Sequence, residues 1–140
     1  MGRVLGVDLG SRRIGLAISD PGARVATPLT VVERSGDRAA DHQTILAHAR
    51  EAGAFRIVVG LPLSLSGDVG PAARAVLEEV EALRGEASGA VAIETHDERL
   101  TTVIAERGLR AARARRRARR RAVDPAAAAV MLQSYLEAHA

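Results

Sequence analysis

Apolar and polar positions along this chain follow two periods, a short one at the start and a longer one from residue 37 onward. Val4 to Val7 is an apolar run closed by Asp8, with Gly10 two residues on. A short apolar run bounded by turn residues predicts a buried strand. Ile14, Leu16 and Ile18 alternate with small residues, the period of two expected of a second strand. The gap between the two runs is hairpin-sized. Asp20-Pro21-Gly22 is a turn signal, and Leu29 to Val32 predicts a third strand. The opening therefore reads as an antiparallel meander.

From Asp37 the period lengthens. Asp37 to Ala52 predicts a helix with Ile45, Leu46 and Ala49 on one face. Phe55 to Val59 predicts a strand, closed by Gly60-Leu61-Pro62. A polar loop from Ser64 to Gly70 leads to a second helix with Pro71 in its first turn and a stripe of Ala73, Val76, Leu77, Val80 and Leu83. Val91 to Thr95 predicts a fifth strand, followed by His96-Asp97-Glu98-Arg99 and a helix from Leu100 to Leu109. Asp124-Pro125 opens a last helix, Ala126 to Glu137, apolar nearly all round and hence expected to be buried. The order β-β-β-α-β-α-β-α-α predicts an α/β fold, a mixed five-stranded sheet of a meander and βαβ units flanked by helices.

Length changes this picture little: 140 residues suit one domain spanning 1–140 with a core of its own. The absence of cysteine excludes disulfides and thiolate metal sites, and fits a cytoplasmic location. The first residues reach Asp8 too soon for a signal peptide, and no apolar run approaches the roughly 20 residues of a membrane span.

Charge changes it more. All 20 basic residues are arginine, and nine of them lie between Arg107 and Arg121, a window without an acid. The rest of the chain sets eleven arginines against 17 acids. An acidic body with one basic segment suits a polyanion; a charge run is usually a solvated loop, but nine arginines in fifteen residues favour nucleic-acid contact. Phe55 and Tyr135 are the only aromatics of the Phe/Trp/Tyr class, so contact with a nucleic acid would run through phosphates rather than stacked bases.

The candidate chemistry is carboxylate chemistry. Asp8 ends the first strand, a rigid mount beside small residues, although a lone turn aspartate looks the same. Asp97 and Glu98 follow the fifth strand; neighbours in a strand face opposite ways, so one of the pair can face a shared site. Asp124 before Pro125 also reads as a helix N-cap. Carboxylates drawn together from distant segments repel unless a hard cation such as Mg²⁺ joins them, and such ions serve phosphodiester cleavage. There is no nucleophile elbow, no P-loop and no zinc-type histidine spacing among His42, His48, His96 and His139. His96, beside the acids, is a lesser candidate for proton transfer.

The stretch Val7-Asp8-Leu9-Gly10-Ser11-Arg12-Arg13-Ile14-Gly15-Leu16-Ala17-Ile18-Ser19-Asp20 resembles the opening motif of the YqgF family, also called RuvX. Val58-Val59-Gly60-Leu61-Pro62, the loop with Gly67 and Gly70, Asp97-Glu98-Arg99-Leu100-Thr101-Thr102, and Val123-Asp124 with Leu132-Gln133-Ser134-Tyr135-Leu136 are similar to its later motifs, in order. The first motif alone is shared with sugar-kinase and actin-like ATPases; the set is specific. Pro125 stands where that family often has a polar residue, and the arginine run is denser than the resemblance leads one to expect.

The resemblance implies a ribonuclease H-like fold, akin to Holliday-junction resolvases, and a metal-dependent nuclease that processes the 5′ end of pre-16S ribosomal RNA. It places the family's acidic positions on Asp8, Glu98 and Asp124, as catalytic residues and ligands of Mg²⁺ or Mn²⁺. It leaves Asp97 against Glu98 open; Glu98 is preferred, with Asp97 and Arg99 supporting. Arg12, Arg13 and the cluster Arg113, Arg115, Arg116, Arg117, Arg119, Arg120 and Arg121 are expected to position the nucleic-acid backbone. The expected partners are structured RNA, including a ribosomal precursor, or branched DNA, with the chain a monomer or weak homodimer. Three other readings remain: a Holliday-junction resolvase acting on four-way DNA, a non-catalytic RNA- or ribosome-binding factor, and an actin-like phosphate-binding module, for which the chain has too little room.

Overall fold

In the computed structural model, which describes residues 2–100 and 126–140, the alternating opening forms three strands. They are β1 (Arg3–Leu9), β2 (Arg13–Ser19) and β3 (Ala26–Glu33). Helix α1 (Arg38–Ala52), strand β4 (Ala54–Leu61), helix α2 (Pro71–Ala87) and strand β5 (Ala92–Asp97) follow. A short 3₁₀ turn, Glu98–Leu100, and helix α3 (Ala126–Ala138) complete the described elements. The predicted helix 100–109 and the arginine segment lie outside the described residues, apart from Leu100 itself.

The sheet runs β3-β2-β1-β4-β5. β2 is antiparallel to β1 and β3, whereas β1, β4 and β5 are mutually parallel along the sheet. This is the mixed sheet the sequence pattern predicts.

Several strand ends differ from expectation: β1 runs on to Leu9, β3 begins at Ala26 rather than Leu29, and β4 and β5 are both longer at the edge that carries the acids. Gly60 and Leu61 continue β4 rather than closing it, and His96 and Asp97 continue β5 rather than following it. The reason is the ladder: Gly60 pairs with His96 and Leu61 with Asp97, so each extension satisfies the other's backbone groups.

Helix α1 starts at Asp37, whose side chain accepts from the backbone N–H groups of Ala39 and Ala40 at 3.1 and 3.3 Å. Such a cap stabilises a helix by about 1 kcal/mol. α2 begins with Pro71, whose missing N–H costs nothing in the first turn.

Side-chain alternation along the strands separates two cores. Leu5, Val7, Ile57 and Val59 pack with Ile45 of α1 and Val80 and Leu83 of α2. Val4, Ala17 and Val58 pack on the other face with Ala128, Met131, Leu132 and Tyr135 of α3. Each fully buried Leu or Ile is worth about 1.5–3 kcal/mol relative to exposure. Gly6 lets α3 lie close to the sheet, because a Cβ there would be 2.9 Å from the Cβ of Leu132. The consequence for function is that the ends of β1, β4 and β5 form one edge, with α3 over one face and α2 over the other. Among the described residues, no helix is long and apolar enough to cross a membrane.

Candidate active site

Asp8 is the sixth residue of β1 and pairs with Gly15 across the hairpin. By alternation it shares the α3 face with Val4 and Gly6. The neighbouring rung of the parallel ladder is Val7 with Val59, which brings Asp8 alongside Gly60. Burial disfavours the charged form of Asp8 and raises its pKa above the usual carboxylate range.

Glu98 reaches the same place from β5. Its carboxylate lies over Gly60: a Cβ on that glycine would be 2.7 Å from Glu98 Oε2 and 3.1 Å from Met131 Cγ. The pKa of Glu98 is raised, chiefly by burial and further by the negative charges of Asp8 and Asp97. The Glu98 carboxylate, over a residue without a side chain, thus feels the charge of Asp8 on the neighbouring strand, and each of the two resists ionisation. That is the electrostatic condition a divalent cation relieves, and oxygen-only donors suit a hard ion such as Mg²⁺, which needs only one or two protein carboxylates when a phosphate completes its shell. Among the described residues, no group of three or more His, Asp or Glu is placed to hold a metal. Asp124, the third predicted ligand, lies outside them.

Asp97 turns elsewhere. Its Oδ2 accepts from Arg99 Nη2 at 2.7 Å, and its Oδ1 accepts from the Arg99 backbone N–H at 2.9 Å. The Arg99 guanidinium holds the Asp97 carboxyl below its ordinary pKa. Arg99 Nη1 also donates to the carbonyl of Leu65 at 3.2 Å, so the pair ties the polar loop after β4 to the end of β5.

The other sequence candidates separate as well. Arg12 is exposed on the β1–β2 turn. Arg13, also exposed, donates to Glu33 across the hairpin at 2.6 Å. His96 is buried on the α3 face, 3.1 Å from Ser134 Oγ and edge-on to Tyr135. Burial lowers its pKa, and its contacts are those of a core residue. The residues Arg113 to Arg121 lie outside the described residues.

Sequence reasoning missed one group behind the site. Arg34, one residue past β3, donates from Nε and Nη2 to the carbonyl of Gly10 at 3.0 and 2.9 Å. It also forks onto Glu79 at 2.6 and 3.0 Å. The available signal was Glu79 itself, which falls on the apolar stripe of α2 between Val76, Val80 and Leu83.

Comparison with known proteins identifies the family and the fold. A family model described as "RuvX: Holliday junction resolvase" matches residues 2–138. Curated relatives from Nocardia farcinica and Mycobacterium tuberculosis (strain H37Rv), each named "Putative pre-16S rRNA nuclease", are 45% identical over 141 residues and 44% identical over 137 residues. Those alignments cover 97% of this chain, and 78% and 79% of the relatives. Among solved structures, Thermus thermophilus RuvC in complex with a Holliday junction substrate matches with a TM-score of 0.65 at 16% identity, over 99% of this chain and 96% of that one. A second T. thermophilus RuvC structure matches with a TM-score of 0.57 at 18% identity, over 98% and 95%. The fold is thus the ribonuclease H-like fold of RuvC.

Proposed function

The chain belongs to the RuvX family, and from that premise we propose that it is a divalent-metal-dependent nuclease that processes the 5′ end of pre-16S ribosomal RNA in the cytoplasm, as a single domain over 1–140. The observation that carries the chemistry is the placement of the Glu98 carboxylate over Gly60, within electrostatic reach of Asp8 on the neighbouring strand β1. Asp8 and Glu98 would hold Mg²⁺ or Mn²⁺ through carboxylate oxygens, with Asp124 as a third ligand. The cation supplies Lewis-acid stabilisation of the charge that develops on the phosphoryl oxygens during cleavage.

The protein's own part is placement. β1 gives Asp8 a rigid mount, and Gly60, having no side chain, leaves room for the Glu98 carboxylate above it. Asp97 and Arg99 brace the end of β5 and so fix the turn that carries Glu98. Arg12 on the adjacent turn, Arg13 and the arginines from Arg113 to Arg121 supply positive charge for the nucleic-acid backbone, a sequence-independent attraction that salt screens. The chain acts as a monomer or weak homodimer.

The substrate named for the relatives favours RNA. The family description favours a second substrate, four-way branched DNA. A paired assay separates them: wild type and Asp8→Asn, with Mg²⁺ or Mn²⁺, on a 5′-extended 16S precursor and on a synthetic four-way junction. Cutting of the precursor that is lost in the variant supports the proposal. Cutting of the junction alone moves the substrate to DNA. Tight binding of RNA without cutting of either substrate would make the protein a non-catalytic RNA-binding factor.

A further inference from the structure

The face of the sheet opposite α3 contains four ionisable side chains in series. Glu86 and Glu79 of α2 flank His42 of α1: His42 Nδ1 is 2.6 Å from Glu86 Oε1, and Nε2 is 2.7 Å from Glu79 Oε2. Glu79 then holds the Arg34 fork, and Arg34 ends on the carbonyl of Gly10 with two N–H groups. His42 is fully buried and Glu79 is 8% exposed. Carboxylates only accept, and a neutral imidazole has one N–H. Each ring nitrogen of His42 faces a carboxylate oxygen.

A buried charge series is a poor means of stabilising a fold, because well-packed apolar side chains of similar volume often do as well or better. Its physical advantage is directional: charged hydrogen bonds fix distances and angles that apolar contacts leave soft. Here the direction leads to the turn behind Asp8. Arg34 holds that turn three times, by two side-chain bonds to Gly10 and by its backbone N–H to the carbonyl of Arg12 at 2.9 Å. The turn closes on itself through Gly10 N–H to the Arg13 carbonyl at 3.0 Å.

We infer that Arg34 is a positioning residue for the nuclease site, and that the Glu86–His42–Glu79 series exists to hold its guanidinium on Gly10, so that Asp8 and Arg12 keep their places relative to each other. The inference rests on the proposed nuclease reading for its catalytic consequence, but not for its structural one.

Arg34→Lys is the test. Lysine keeps the charge yet lacks the planar fork, so it cannot bridge Glu79 and Gly10 with paired bonds. Two readouts are taken on the full chain. The first is amide hydrogen exchange at Gly10 and at residue 34, whose backbone N–H groups donate to the carbonyls of Arg13 and Arg12 and close the turn, with Ile57 to Val59 of β4 as the internal reference. The second is kcat and KM on the cleaved substrate. The expected result is about tenfold faster exchange in the turn with β4 unchanged, and a fall in kcat of about 10–100-fold, with KM within about threefold of wild type. Unchanged exchange in the turn overturns the inference. So does exchange that rises equally in β4, which would make Arg34 a general stabiliser, or selective loosening with kcat intact. If the wild type cuts nothing, the nuclease reading fails and the exchange result alone decides the structural claim. Should Arg34→Lys fail to fold, Glu79→Gln keeps the size of the side chain, removes the charge that anchors Arg34, and carries the same two readouts.

Discussion

The carboxylate of Glu98 occupies the space above Gly60 that any larger residue there would need, with its Oε2 2.7 Å from the position of an added Cβ. Gly60→Ala should therefore act on the site more than on the fold. The two atoms it would meet first belong to flexible side chains, Glu98 and Met131. Relief by small rotations limits the stability loss to about 1 kcal/mol. The same rotations displace a carboxylate that must be placed to within a fraction of an ångström, and such a misplacement costs about a hundredfold in rate. Thermal melting alongside the cleavage assay checks both; a variant with full activity would show that the position of Glu98 over Gly60 is irrelevant.

Asp97 and Glu98 should respond differently to loss of charge. Glu98→Gln removes an oxygen donor from the shared edge and should reduce cleavage to background. Asp97→Asn weakens the hold on Arg99 and through it on Leu65, and should retain cleavage within about tenfold of wild type, in line with loss of an outer partner rather than a ligand. Asp97→Asn inactive with Glu98→Gln active would reverse the assignment.

Alternation is the reason that distinction was half legible in the sequence. A period of two says that Asp97 and Glu98 point to opposite sides, but not which side holds Asp8; that follows only from the β1–β4–β5 order, and hydrophobic periodicity carries no information about strand partners. The same limit explains the misjudged ends of β4 and β5. Glycine and proline after Val59 read as a stop, whereas Gly60 and Leu61 have partners in His96 and Asp97 that keep the ladder going. The meander was legible because its three strands are consecutive and Asp20 closes the turn, accepting from Arg24 and Val25. The Arg34 series was not anticipated because histidine and glutamate on a helix read as surface residues, and only three-dimensional packing joins His42 to residues 37 and 44 positions away.

The arginine segment should govern affinity rather than chemistry. Replacing Arg119, Arg120 and Arg121 by Gln should weaken RNA binding at low salt and flatten the dependence of log K on log salt by about one for each phosphate no longer neutralised. The rate at saturating substrate should be unchanged. Binding isotherms between about 50 and 200 mM salt are the appropriate range, because affinity carried by counterion release falls steeply there. An unchanged slope would assign those arginines to solvent.

Asp8 and Glu98 should cost the metal-free protein stability. Both have folded pKa values raised above the usual 3.8 and 4.5. In the window between those usual values and the raised ones, the folded chain binds more protons than the unfolded chain, so stability falls as pH rises through it. Below the window both states are protonated and the penalty vanishes. With metal chelated, Glu98→Gln should accordingly be more stable than wild type at neutral pH, and the difference should disappear as pH falls below the unfolded values. Urea denaturation across that range measures it. Added Mg²⁺ should then reverse the order, because a ligand bound only by the folded state at about a hundred times its dissociation constant contributes about 2.7 kcal/mol, and the variant binds it less well. If Glu98→Gln is instead the less stable protein without metal, favourable contacts of Glu98 outweigh its burial and its repulsion by Asp8, and the site is a structural carboxylate cluster rather than one waiting for a cation.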